Sequence, residues 1–79
     1  MQKLSNMNNL EIVNSILEGQ NYTYEDYRKI TDNSLYRCLC NEYVYQLNKS
    51  VRDEQKIKMI QYACDVVSTI LEDRKKRAI

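Results

Sequence analysis

The sequence predicts an all-α fold, a small helical bundle of three to four helices with a long C-terminal amphipathic helix, and three observations predict it. The 79 residues contain no proline and one glycine, so the punctuation that strands and tight hairpins need is missing. Apolar residues recur at three- and four-residue intervals instead of alternating. Short polar stretches with helix-capping chemistry divide that pattern into segments.

The first helix is expected over 9–18. Asn8 supplies a side-chain oxygen for the free N–H groups at its start, and Leu10, Val13 and Leu17 form an apolar stripe that Ile12 and Ile16 widen. Gly19 is suited to end it, because glycine takes the left-handed conformation of a C-terminal cap without steric cost. Thr23 stands three residues before Asp26, a spacing that opens a short second helix over 24–30. Thr31, Asp32, Asn33 and Ser34 all favour side-chain bonds to nearby backbone, so they read as a turn whose last members cap a third helix over 35–48. On that helix Leu35, Tyr36, Leu39, Cys40, Tyr43, Val44 and Leu47 are expected to face the core. Ser50 and Asp53 offer a loose capping box for a last helix over 51–74.

The last helix carries the strongest periodic signal. Ile57, Ile60, Cys64, Val67 and Leu71 alternate three- and four-residue steps, and Met59, Ala63, Val66 and Ile70 extend the apolar arc to about half the circumference. Such a helix is about 37 Å long at about 1.5 Å per residue, more than two short helices readily cover. The expectation is a homodimer, or an obligate partner, that buries what the other helices leave of this one, with Ile57, Ile60, Cys64, Val67 and Leu71 as its dimer or packing residues.

A single domain of 79 residues is marginal in stability by itself, since a chain of this size buries only about 60% of its unfolded surface. Disulfides are not expected to help: the three cysteines are an odd number and no apolar signal segment precedes them, which points to a cytoplasmic protein. No run of apolar residues is long enough to span a membrane. Twelve basic against eleven acidic residues leave a net charge of +1, without the basic excess of a protein that holds phosphate backbones.

Catalytic chemistry is sparse. Histidine is absent, which removes the commonest general acid/base and the commonest metal ligand together. One glycine cannot build a phosphate-cradling loop. Cys38 and Cys40 stand two apart, about 200° around a helix, so their sulfurs face different ways and do not converge on an ion. No cofactor and no metal are expected, and the chain reads as a non-enzyme.

Interaction chemistry is what remains. All seven aromatic residues are tyrosine, a side chain that packs by its ring and reaches water or a partner by its hydroxyl. Tyr24, Tyr27, Cys38 and Tyr45 are the expected partner-binding residues. The run Arg74-Lys75-Lys76-Arg77 reads first as cations that complement the negative end of the last helix, and second as a nuclear-import or phosphate-binding patch. The functional expectation is a small protein–protein interaction module: an adaptor, assembly subunit or inhibitor of the kind that phages and mobile elements also encode.

The second reading is a helix-turn-helix DNA-binding regulator, in which the helix from Leu35 enters a major groove. Arg37 and Asn41 would read bases, and Arg28 and Lys29 would hold phosphates. Against it, the turn lacks glycine and the reading face carries Glu42 and tyrosines. Leu35-Tyr36-Arg37 resembles the tripeptide that names a family of small mitochondrial helical proteins. That family sets its motif in an opening helix followed by further basic and aromatic positions, whereas here the match covers three residues, and no functional residue is carried over from it.

Overall fold

The computed structural model describes residues 7–77. These form four helices, α1 (Asn9–Leu17), α2 (Tyr24–Ile30), α3 (Asn33–Leu47) and α4 (Glu54–Arg77), and no strand lies among the described residues.

Side chains near the ends of each helix set its boundaries. Asn8 accepts the Glu11 N–H at 2.8 Å while Glu11 accepts the Asn8 N–H at 3.2 Å, so a full capping box opens α1. Gly19, at φ 100, closes it, its N–H bonding the Ile16 carbonyl and that of Gln20 the Ser15 carbonyl, the paired bonds of a Schellman motif. Thr23 and Asp26 repeat the capping box at the start of α2.

Two helices begin elsewhere than the sequence predicts. α3 starts at Asn33, two residues before Leu35, because the Asp32 carboxylate caps it, accepting the Leu35 N–H at 2.7 Å. α4 starts at Glu54 and not at 51: Asp53 accepts the Lys56 N–H at 3.2 Å and through its carbonyl the Ile57 N–H at 3.0 Å. Ser50 takes no part. Arg52 instead turns back to donate from Nε to the Leu47 carbonyl at 3.2 Å, closing α3. α4 also continues past 74 to Arg77, its last turn wholly basic, as the helix dipole favours.

α4 is the spine of the bundle, with α3 along most of it and α1 and α2 against its remaining sides. Ile12, Val13 and Ile16 of α1, Tyr27 of α2, Leu35 and Leu39 of α3, and Ile60, Ala63, Val67 and Ile70 of α4 make one core. Leu35, Leu39, Ile60 and Val67 are the largest side chains fully withdrawn from solvent, and each contributes about 1.5–3 kcal/mol of burial.

Of the two roles expected for the α4 seam, dimer contact or packing, the chain itself supplies packing. Ile60 and Val67 belong to the core, Ile57 is buried, and Cys64 and Leu71 lie half-buried against the core. The physical reason is that α3, at 15 residues, runs beside α4 while α1 and α2 share its other flank. These five residues are packing residues of the chain's own core.

The core-facing side of α3 also differs from expectation. Val44 is 54% exposed and Tyr36 36% exposed, whereas Gln46 is buried and Glu42 half-buried. The inward stripe runs through 35, 38, 39, 42, 43, 46 and 47, roughly 70° around the helix from the arc of most apolar residues at about 100° per residue. α3 must cover α1 as well as α4, and the bisector of those two neighbours points between Leu35 and Leu39. Gln46 Nε2 donates to Glu42 Oε2 at 2.7 Å, but Gln46 Oε1 is buried with no donor among the described residues.

Candidate functional site

A shallow groove of about 320 Å³ runs between α1 and α3, lined by Leu10 and Val13 from the first helix and Cys38, Asn41, Glu42 and Tyr45 from the third. Positions 38, 41, 42 and 45 share one helical stripe, so α3 presents them together. Val13 is buried in the floor, while Leu10 is 66% and Tyr45 59% exposed. Lys49 Nζ lies 5.3 Å from the Tyr45 ring centroid, which favours one face of that ring through a cation–π contact. Glu42 has no cation within ion-pair distance among the described residues. The groove thus offers apolar walls, one half-buried carboxylate and one carboxamide.

Two of the four expected partner-binding residues, Cys38 and Tyr45, meet in this groove. Tyr24 is 49% exposed but lies on another side, near Arg28, Ile70 and Asp73. Tyr27 does not belong to the surface: it is 3% exposed. It is the one buried residue of α2, the anchor by which that seven-residue helix docks. Burial first, then the neighbouring Tyr62, Tyr22 and Cys64, push its hydroxyl up to about 12. Leu10 was assigned to the α1 core stripe, yet it stands at the edge of that stripe, away from Ile12 and Ile16, and a helix of nine residues cannot bury both margins. Its width beyond three buried positions was the available signal.

The four residues of the DNA-binding reading are all exposed. Arg37 lies one turn before Asn41 on α3, and Asn41 lines the groove. Arg28 pairs with Glu25 at 3.1 Å. Lys29 lies beside the α2–α4 contact.

Arg74, expected to complement the end of its own helix, also reaches the end of another. Its guanidinium donates to the Thr31 carbonyl and to the Arg28 carbonyl, each at 2.7 Å. Those carbonyls end α2, so Arg74 ties the C-terminus of the second helix to α4 and meets its dipole. Thr31 supports the same corner by donating its hydroxyl to the Tyr27 carbonyl at 2.6 Å.

The two closely spaced cysteines take different neighbours. Cys38 turns to α1, whereas Cys40 lies beside Cys64 of α4. Burial first and then Cys40 push the Cys64 thiol up to about 12, which makes it a poor nucleophile at neutral pH. No group of three or more metal-ligating side chains occurs among the described residues, and no described helix is long and apolar enough to cross a membrane. No protein-family model, no curated protein and no solved structure matches the chain.

Proposed function

We propose that this chain is a non-catalytic protein–protein interaction module, an adaptor, assembly subunit or inhibitor, that takes its partner in the α1–α3 groove. The observation that carries the reading is the pairing of Leu10 and Tyr45, two large apolar side chains that stand exposed on facing helices over a half-buried Cys38. Exposed apolar side chains gathered around a depression mark association surfaces more often than scattered ones do. The half-buried Glu42 without a cation adds a charge preference. A partner segment with an apolar anchor next to a lysine or arginine fits, the anchor between Leu10 and Tyr45 and the cation against Glu42.

The test is capture from native lysate by wild type and by the double variant Leu10→Glu, Tyr45→Ser, each with and without nuclease. A stoichiometric protein that survives nuclease and is lost with the double variant is the expected result. Equal capture by both chains removes the groove from the reading. Recovery of DNA that depends on Arg37, as tested with Arg37→Ala, overturns the module in favour of a helix-turn-helix regulator.

A further inference from the structure

A second depression, sharing no residue with the α1–α3 groove, opens where the α1–α2 connection meets α4. It has a volume of about 440 Å³ and is lined by Ile16, Gln20, Asn21, Tyr22, Tyr27, Lys58, Met59 and Tyr62, and that volume is in the range of small-molecule sites. Ile16 and Met59 give it an apolar floor. Tyr22 meets Tyr27 edge to face, with ring centroids 5.8 Å apart and planes at 88°, so the walls are fixed aromatic surfaces.

The polar groups divide into those already engaged and those that are not. The Tyr22 hydroxyl is hydrogen-bonded to the Ser15 hydroxyl. Tyr27 lines the cleft and is 3% exposed; its hydroxyl is not an enclosed orphan, since the one enclosed side-chain atom without a partner among the described residues is Gln46 Oε1. A tyrosine that packs by its ring can offer its hydroxyl to a partner at the polar end. Lys58, on the same face of α4 as Tyr62, has no carboxylate within ion-pair distance among the described residues. With its pKa near 12, the Tyr27 hydroxyl keeps its proton at neutral pH and acts as a donor.

We propose that this cleft binds a small aromatic carboxylate, its ring against Tyr22 and Tyr62 and its carboxylate between the Tyr27 hydroxyl and the Lys58 ammonium. Two free donors, one of them charged, ask for an acceptor anion, and aromatic walls ask for a flat apolar body. A single ammonium matches one negative charge. A phosphate would call for guanidinium groups or backbone N–H groups, and the cleft has no arginine in its lining.

The experiment is an NMR titration of the full chain with 2-naphthoate, with 2-naphthamide and acetate as controls, on wild type, Tyr27→Phe and Lys58→Gln. Naphthoate is expected to bind at about 1 mM, as suits a two-ring ligand in an open cleft, with shifts confined to Tyr22, Tyr27, Tyr62 and their neighbours. Naphthamide, acetate and each variant are expected to weaken binding by about 5-fold or more, the loss of one hydrogen bond or of the charge. Tyr27→Phe keeps the ring that the core needs; Lys58→Gln changes an exposed side chain and carries the test if the first variant fails to fold. Equal binding of naphthoate and naphthamide, shifts centred outside the cleft, or no shift at about ten times that concentration overturns the proposal.

Discussion

α3 and α4 lie side by side and use their apolar residues in opposite ways. On α4 the apolar arc points inward: Ile57, Ile60, Ala63, Val67 and Ile70 are buried, and Lys58, Gln61, Asp65, Thr69 and Glu72 face water. On α3 only Leu35 and Leu39 are comparably buried, polar Glu42 and Gln46 point inward, and Val44 and Tyr45 stand in solvent. The turn of α3 leaves Tyr45 beside α1 and Val44 in solvent on another side, so α3 serves as both wall and candidate interface while α4 serves as core.

The largest effect belongs to α4. Ile60 is fully buried where α4 meets the other helices, so Ile60→Ala should cost about 3 kcal/mol through lost burial and the cavity left behind. That is a large share of the about 5 kcal/mol expected at the low end for a domain. Urea denaturation followed by circular dichroism measures it; a loss below about 1 kcal/mol would mean that α4 is not the core element of the comparison.

On α3 the sign should reverse. Gln46 is 3% exposed, and its Oε1 has no donor among the described residues. Gln46→Leu keeps a similar volume, removes the unpaired acceptor and leaves the half-exposed Glu42 carboxylate to water. Stability should rise by about 1 kcal/mol. A fall of that size in the same denaturation experiment would show that the carboxamide holds α3 in place, and the comparison would need a structural polar role on α3.

How far these differences could be read in the sequence depends on how many neighbours each helix has to satisfy. α4 repeats its pattern over 24 residues, so its buried side was legible: Ala63 and Ile70, expected as extensions of the arc, are buried, and Cys64 and Leu71, expected on its seam, are half-buried. Capping residues gave α1 and α2 nearly to the residue, since Asn8, Gly19 and Thr23 act locally. α3 was misread because its orientation is set by α1 as much as by its own apolar content, and no pattern internal to α3 encodes that demand. Cys38 and Tyr45 were found in spite of this because both lie outside the most apolar arc. Leu10, Glu42 and the tie from Arg74 to the end of α2 depend on contacts between distant segments, and Tyr27 lay hidden because tyrosine suits burial and exposure alike.

The smallest effect is the most discriminating. Val44 sits within the arc of most apolar residues on α3, and if that arc faced the core, Val44→Ser would remove a buried aliphatic group and insert a hydroxyl, costing about 2 kcal/mol or more. At 54% exposure the same substitution should change stability by no more than about 0.5 kcal/mol, because valine and serine have similar helix propensity. A null result for Val44→Ser beside a large one for Ile60→Ala separates the two helices in a single experiment series. A large loss at Val44 would turn α3 back toward its apolar arc, swing Cys38 and Tyr45 away from α1 and break up the α1–α3 groove on which the interaction reading stands.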